Sequence, residues 1–108
     1  MESFGARKAV LERKFAHDEE LKFKAMARRN RLLGYWAAEK LGLSGADADA
    51  YAREVVKADF EEPGDEDVVR KIRTDFDAKN IAASDDQIRR TMEELLVTAA
   101  EQIKPEKS

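Results

Sequence analysis

The sequence contains no cysteine. Disulfides, thiol nucleophiles, zinc fingers and iron–sulfur sites go with it, and the composition fits a reducing cytosol. A single histidine, His17, cannot assemble a transition-metal site alone. Two prolines and five glycines are too few for a turn-rich all-β fold. Apolar runs are only a few residues long, so no membrane span is expected, and no charged-then-apolar leader opens the chain. No glycine precedes a Lys-Ser/Thr pair, which removes the phosphate loop of nucleotide hydrolases. Serine occurs only at positions 3, 44, 84 and 108. Two of these fall at helix starts, and His17 is distant in sequence from all of them, so no nucleophile–base–acid set is expected. The chain reads as a non-enzyme.

What the chain does have is charge. Charged residues make up 40% of its 108 residues and hydrophobic residues 43%. One core fits this length, and the charge surplus demands a large surface, as a small bundle of amphipathic helices provides. The net charge of −3 is unevenly spread. Residues 1–40 hold ten Lys/Arg against six Asp/Glu, and residues 41–108 hold ten against seventeen. A basic front end suits an acidic or phosphate-bearing partner, while a net acidic chain is a poor general binder of nucleic acid.

Breaks at Gly42 to Gly45, Pro63-Gly64 and Asn80 to Ser84 divide the chain into four helical segments. The first spans about 18–41, with Asp18 as N-cap and Gly42 as the C′ stop. Its apolar stripe is Leu21, Ala25, Leu32 and Trp36, flanked by Phe23, Met26, Leu33, Ala37 and Leu41. Gly34 lies within it, where a neighbouring helix needs close approach. The second spans about 45–60, with Ser44 and Asp47 as a variant capping box. Ala48, Tyr51, Ala52, Val55, Val56 and Phe60 form its stripe. The third, about 65–79, carries Val69, Ile72 and Phe76. The fourth, about 84–103, opens with a Ser84/Gln87 capping box and carries Ile88, Met92, Leu95, Leu96, Ala99 and Ile103. Helices this short are not stable alone, so the expected fold is an all-α four-helix bundle with Trp36 and Leu95 in a shared core.

Residues 1–17 lack a cap, and Phe4, Leu11 and Phe15 fall at i, i+7 and i+11. Arg7, Lys8, Arg13 and Lys14 occupy the other faces. Three readings stand: a frayed terminus, a first helix docked on the bundle, or an arm that folds on a partner. The domain expectation is a flexible basic arm over 1–17 that adds little to bundle stability, a bundle over 18–104 and a tail over 105–108.

Two clusters invite a chemical reading. Asp59, Glu61, Glu62, Asp65, Glu66 and Asp67 lack the spacing and glycine of a calcium loop, and read as dipole complement and solubility. Lys22, Lys24, Arg28, Arg29 and Arg31 crowd one helix. Lys24, Arg28 and Arg31 share a face that Tyr35 continues, which suits phosphates and a stacked base. It equally suits a solvated outer face with i, i+4 ion pairs.

The stretch FAHDEELKFKAMARRNRLLGYWAAEKLG, residues 15–42, resembles the core motif of the ζ subunits of α-proteobacterial F-type ATP synthases. YAREVVKADFEEPGDEDVVRKI, residues 51–72, is similar to that family's second block. The resemblance implies a four-helix bundle that inhibits ATP hydrolysis without catalysing anything. It implies an amino-terminal arm that enters the catalytic head between α and β subunits, with Phe4, Leu11 and Phe15 as apolar anchors and Arg7, Lys8, Arg13 and Lys14 meeting acidic surfaces. It also implies weak ADP or ATP binding on the bundle, expected at Lys22, Lys24, Arg28 and Arg29, with no required cofactor. Such a protein is cytoplasmic and peripheral at the inner membrane through the ATP synthase, without inserting into lipid. The alternatives are a stand-alone adenine-nucleotide sensor and a helical module that lies on an anionic membrane surface.

Overall fold

The computed structural model describes residues 11, 13, 15, 18–59 and 65–103. Phe4, Arg7, Lys8, Lys14, His17, Phe60, Glu61, Glu62, Pro63-Gly64 and the tail 105–108 lie outside the described residues. Among the described residues four helices follow one another: α1 Glu19–Lys40, α2 Gly45–Ala58, α3 Glu66–Ala78 and α4 Asp85–Gln102. The fold is an all-α four-helix bundle.

Local chemistry accounts for most of the helix ends. Asp18 accepts the Leu21 amide at 3.0 Å and caps α1, and Ser84 accepts the Gln87 amide at 3.0 Å and caps α4. Each side chain satisfies one of the first-turn amides that no helical carbonyl reaches. Ser44 departs from expectation. Its side chain makes no cap bond, and α2 begins instead through Gly45 at φ 58°, in the left-handed region that glycine enters without a Cβ clash. Past Leu41, Gly42 turns to φ 81° while its amide donates to Glu39 and that of Leu43 to Ala38. Asn80 closes α3 the same way at φ 58°, with Ile81 donating to Phe76. Both are paired 6→1 and 5→2 terminations.

The helix α1 packs against both α2 and α4, and α3 leans on α2 and α4. Gly34 sets the α1–α2 approach. A Cβ at that position would stand 2.5 Å from the Ala52 Cα, inside any tolerable contact, so the two backbones touch there because a side chain is missing.

Two apolar clusters result. The first gathers Leu33, Tyr51, Val55, Val68, Ile72, Phe76, Ile88 and Met92, with smaller neighbours. Trp36 and Leu95, expected in the shared core, are half-buried and pack against its edge. Trp36 meets Phe76 with ring centroids 5.9 Å apart. The second cluster joins Ala25 and Met26 of α1 to Leu96 and Ala100 of α4, and is completed by Leu11 and Phe15. At these two positions the structure corrects the expectation of an arm that adds little to the bundle. Leu11 and Phe15 are one helical turn apart, so they share a face, and both are buried. Arg13 between them is exposed.

Phe23 is a second correction. It was expected on the apolar flank of α1 but is 57% exposed. The buried face of α1 runs through Met26, Arg29, Asn30, Leu33, Gly34 and Ala37, and Phe23 lies to its side.

Candidate functional site

The cations of α1 do not form one patch. The helix turns 100° per residue, and the five side chains go three different ways. Lys24 and Arg28 are exposed, and Lys24 pairs with Glu20 at 3.4 Å. Arg31 continues their face, its guanidinium 5.8 Å from the Tyr35 ring centroid. The Tyr35 hydroxyl donates to Asp49 of α2 at 2.6 Å. That hydrogen bond is the main cause pushing the Tyr35 phenol above its ordinary value, and the nearby positive charges of Arg31 and Arg53 act against it. Arg53 of α2 is exposed, and its charge is felt at Tyr35. Nothing in the spacing of α1 pointed to Arg53, because it arrives across the helix crossing.

Lys22 goes elsewhere. Its side chain is 13% exposed and pairs with Glu19 at 3.3 Å. It lines a groove of about 420 Å³ together with Phe23, Met26 and Asn30.

Arg29 is not at the surface at all. It is 1% exposed, a buried guanidinium in the bundle. One terminal nitrogen donates to Asp65 at 3.0 Å and stands 3.9 Å from Asp59, while Nε donates to Asn30 at 2.8 Å. A nucleotide phosphate has no access to it in this conformation, which corrects its place among the expected nucleotide ligands. The same geometry corrects the reading of the acidic cluster. Asp59, Asp65 and Asp67 have buried side chains, so at these three positions the carboxylates are internal partners and not a solvating face. A charge removed from water is tolerable only when paired and hydrogen-bonded. Arg29 and its acids thereby tie the middle of α1 to the end of α2 and the start of α3. Glu66, one residue on, is exposed and accepts from Arg89 of α4 at 2.9 Å, which holds its carboxyl below the usual carboxylate value.

The helices α2 and α3 share a polar network. Tyr51 donates to Asp75 at 2.7 Å, and burial first, then that bond, pushes its phenol well above the ordinary value. Lys71 lies 3.0 Å from both Glu54 and Asp75 and 4.8 Å from the Tyr51 ring centroid. Burial opposes the Lys71 charge, and the two carboxylate bonds outweigh it, so its pKa is raised. These groups satisfy one another.

Among the described residues, no group of acids and histidine could hold a metal ion, and no helix is long and apolar enough to cross a membrane. Of the residues expected to meet a partner, Leu11 and Phe15 are buried against the bundle and Arg13 is exposed. Phe4, Arg7, Lys8 and Lys14 lie outside the described residues.

A protein whose structure was determined in solution by NMR is 52% identical, over 76% of this chain and 93% of its own, with a TM-score of 0.69. No curated protein matches. The family model for ATPase inhibitor subunit zeta matches residues 1–102, nearly the whole length, including the basic amino-terminal segment. On that match the chain belongs to the ATPase inhibitor subunit zeta family, a regulatory role at an ATP synthase and not a catalytic one.

Proposed function

We propose that the chain inhibits ATP hydrolysis by placing its amino-terminal segment, residues 1–17, between catalytic α and β subunits of the ATPase head, with the bundle held outside as an anchor. The observation that carries this reading is the packing of Leu11 and Phe15. These two side chains sit on one helical face and are covered by the second cluster, so the segment has a built apolar face of the kind an intersubunit groove accepts. Burying each is worth roughly 1.5–3 kcal/mol. A partner has to offer more than that to take them from the bundle, and an acidic groove adds attraction for the exposed Arg13. A wedge trapped in an interface that must close during turnover stops rotation without chemistry.

Adenine nucleotide enters this reading as a modulating ligand of α1. Arg29 drops out of the expected set, while Lys24 and Arg28 remain, joined by Arg31. Exposed cations of this kind bind phosphate as a screened surface, so affinity falls as salt rises.

Deletion of residues 1–17 tests the mechanism. The truncated bundle is expected to lose inhibition of the cognate ATPase, and alanine at Leu11 and Phe15 together to weaken it. A truncated protein that inhibits as strongly as the full chain sinks the arm mechanism.

A further inference from the structure

Two contacts fix how α2 and α3 lie against each other. Tyr51 meets Asp75 and Glu54 meets Lys71, so the numbering rises along one helix as it falls along the other, and the two run antiparallel. One turn further along α2 stands Lys57, and one turn back along α3 stands Asp67. That brings these two residues to the same end of the contact. Both line a cleft of about 450 Å³ between the helices. Its size falls within the roughly 300–1,000 Å³ typical of small-molecule sites.

Asp67 is the residue that asks for a ligand. Its side chain is 3% exposed. Oδ1 accepts from Arg70 at 2.7 Å, while Oδ2, also buried, has no hydrogen-bond partner. A buried acceptor left unpaired carries the full cost of its lost hydration, and a carboxylate oxygen is best satisfied by a cationic donor. Arg70 holds Oδ1 from the surface, its own side chain 62% exposed, so the cleft can open on that side. Lys57 is the complementary case. It is exposed and makes no ion pair among the described residues, whereas Lys71 is already shared between Glu54 and Asp75. Three acids and three bases line the cleft, so it favours neither a plain cation nor a plain anion. One unsatisfied acceptor and one uncommitted ammonium at the same end fit a ligand that carries both charges close together.

We propose that the α2–α3 cleft binds an α-amino acid, its ammonium group donating to Asp67 Oδ2 and its carboxylate meeting Lys57. The rest of the ligand lies along Ala58 and Thr74, which also line the cleft. Both head-group contacts are charge-assisted, and such hydrogen bonds are short and strong. The bound molecule ties the end of α2 to the start of α3 across the Pro63-Gly64 break, and by mass action it stabilises the folded bundle. This site shares no residue with the amino-terminal segment or with the cations of α1, so it stands or falls apart from the inhibitory mechanism.

The test follows amide chemical shifts of the full chain on titration with L-alanine, L-leucine and L-glutamate. At least one is expected to bind, with shifts concentrated at residues 54–58 and 67–75. Ethylammonium carries the cation alone and acetate the anion alone. Each is expected to bind about tenfold or more weakly than the best amino acid. Asp67→Asn keeps the size and an oxygen for Arg70 while removing the charge, and Lys57→Ala changes only an exposed side chain. Each is expected to weaken amino-acid binding about tenfold or more, the equivalent of about 1.4 kcal/mol. Lys57→Ala should do so with its melting midpoint unchanged, which separates lost binding from lost folding. Ethylammonium binding as tightly as the best amino acid overturns the assignment of a zwitterion. Amino-acid binding that survives Lys57→Ala in full places the ligand elsewhere. No shift with any of the three amino acids at millimolar concentration overturns the proposal outright and leaves Asp67 Oδ2 to solvent.

Discussion

The apolar cluster around Ile72 and Phe76 closes among the four helices and their connections. The cluster around Met26 and Leu96 needs Leu11 and Phe15 from ahead of α1 to be complete. The first can come apart only if the bundle does. The second loses two of its six buried members if one short segment lifts away, and that segment is joined to α1 through a turn in which Asp18 donates to the Phe15 carbonyl at 3.0 Å. Stability is not uniform across a fold, and terminal elements open at lower cost than the core. A bundle divided in this way can release its amino-terminal face to a partner and still remain a folded anchor. An inhibitor that works by insertion needs both properties.

The sharpest way to break this comparison is to remove one phenylalanine from each cluster. Phe76→Ala, at a position with no exposure, is expected to cost about 3–5 kcal/mol in chemical denaturation. Phe15→Ala removes an equally buried ring, yet its cost is capped by the free energy of docking the segment, about 1–3 kcal/mol. Equal costs at the two positions would show one cooperative core and no separable face.

Neighbouring arginines repeat the contrast in charge. Arg29→Ala leaves Asp65 and Asp59 buried without their cation and is expected to destabilise by about 3–5 kcal/mol. Arg28→Ala, one residue back and exposed, should stay within about 0.5 kcal/mol of the parent and show itself in weaker nucleotide binding. Thermal melts of the two variants at neutral pH separate the outcomes. A mild Arg29→Ala would mean that water or a side-chain shift compensates the acids.

These contrasts were unequally legible in the sequence. Helix extents followed from apolar spacing and from Asp18, Gly42 and Ser84, because caps and periods are local and act within a few residues. The close approach at Gly34 was legible too, since a lone glycine in a helix needs a reason. Arg29 carried a signal that charge obscured. It lies four residues after Ala25 and four before Leu33, in line with the buried stripe. Its principal counter-ion, Asp65, is 36 residues away, and no local pattern announces a pairing at that distance. Leu11 and Phe15 were read with Phe4 as a sparse i, i+7, i+11 row. Their own spacing of four, matched to Met26 and Leu96, is what docks them. Asn30 gains its role from the hydrogen bond it accepts from Arg29 inside the bundle, which composition does not encode.

The smallest expected effect lies at the rim of the first cluster, where Glu66 of α3 accepts from Arg89 of α4. The Arg89 bond holds the folded-state pKa of Glu66 below its ordinary value. A carboxylate depressed on folding contributes stability that is fully present above its unfolded pKa. That contribution disappears as pH falls through the lower, folded value, because both states are then protonated. The Glu66 side chain is 63% exposed, so solvent screens the pair and its worth is about 0.2–1 kcal/mol. Glu66→Gln should therefore be less stable than the parent by that amount at pH 7, with the gap closing on acidification below the ordinary glutamate range. High salt should also narrow the gap at pH 7. Denaturation midpoints of parent and variant across pH, at two salt concentrations, read this directly. A gap that persists unchanged in strong acid would assign the loss to packing of α3 on α4 and not to the charge.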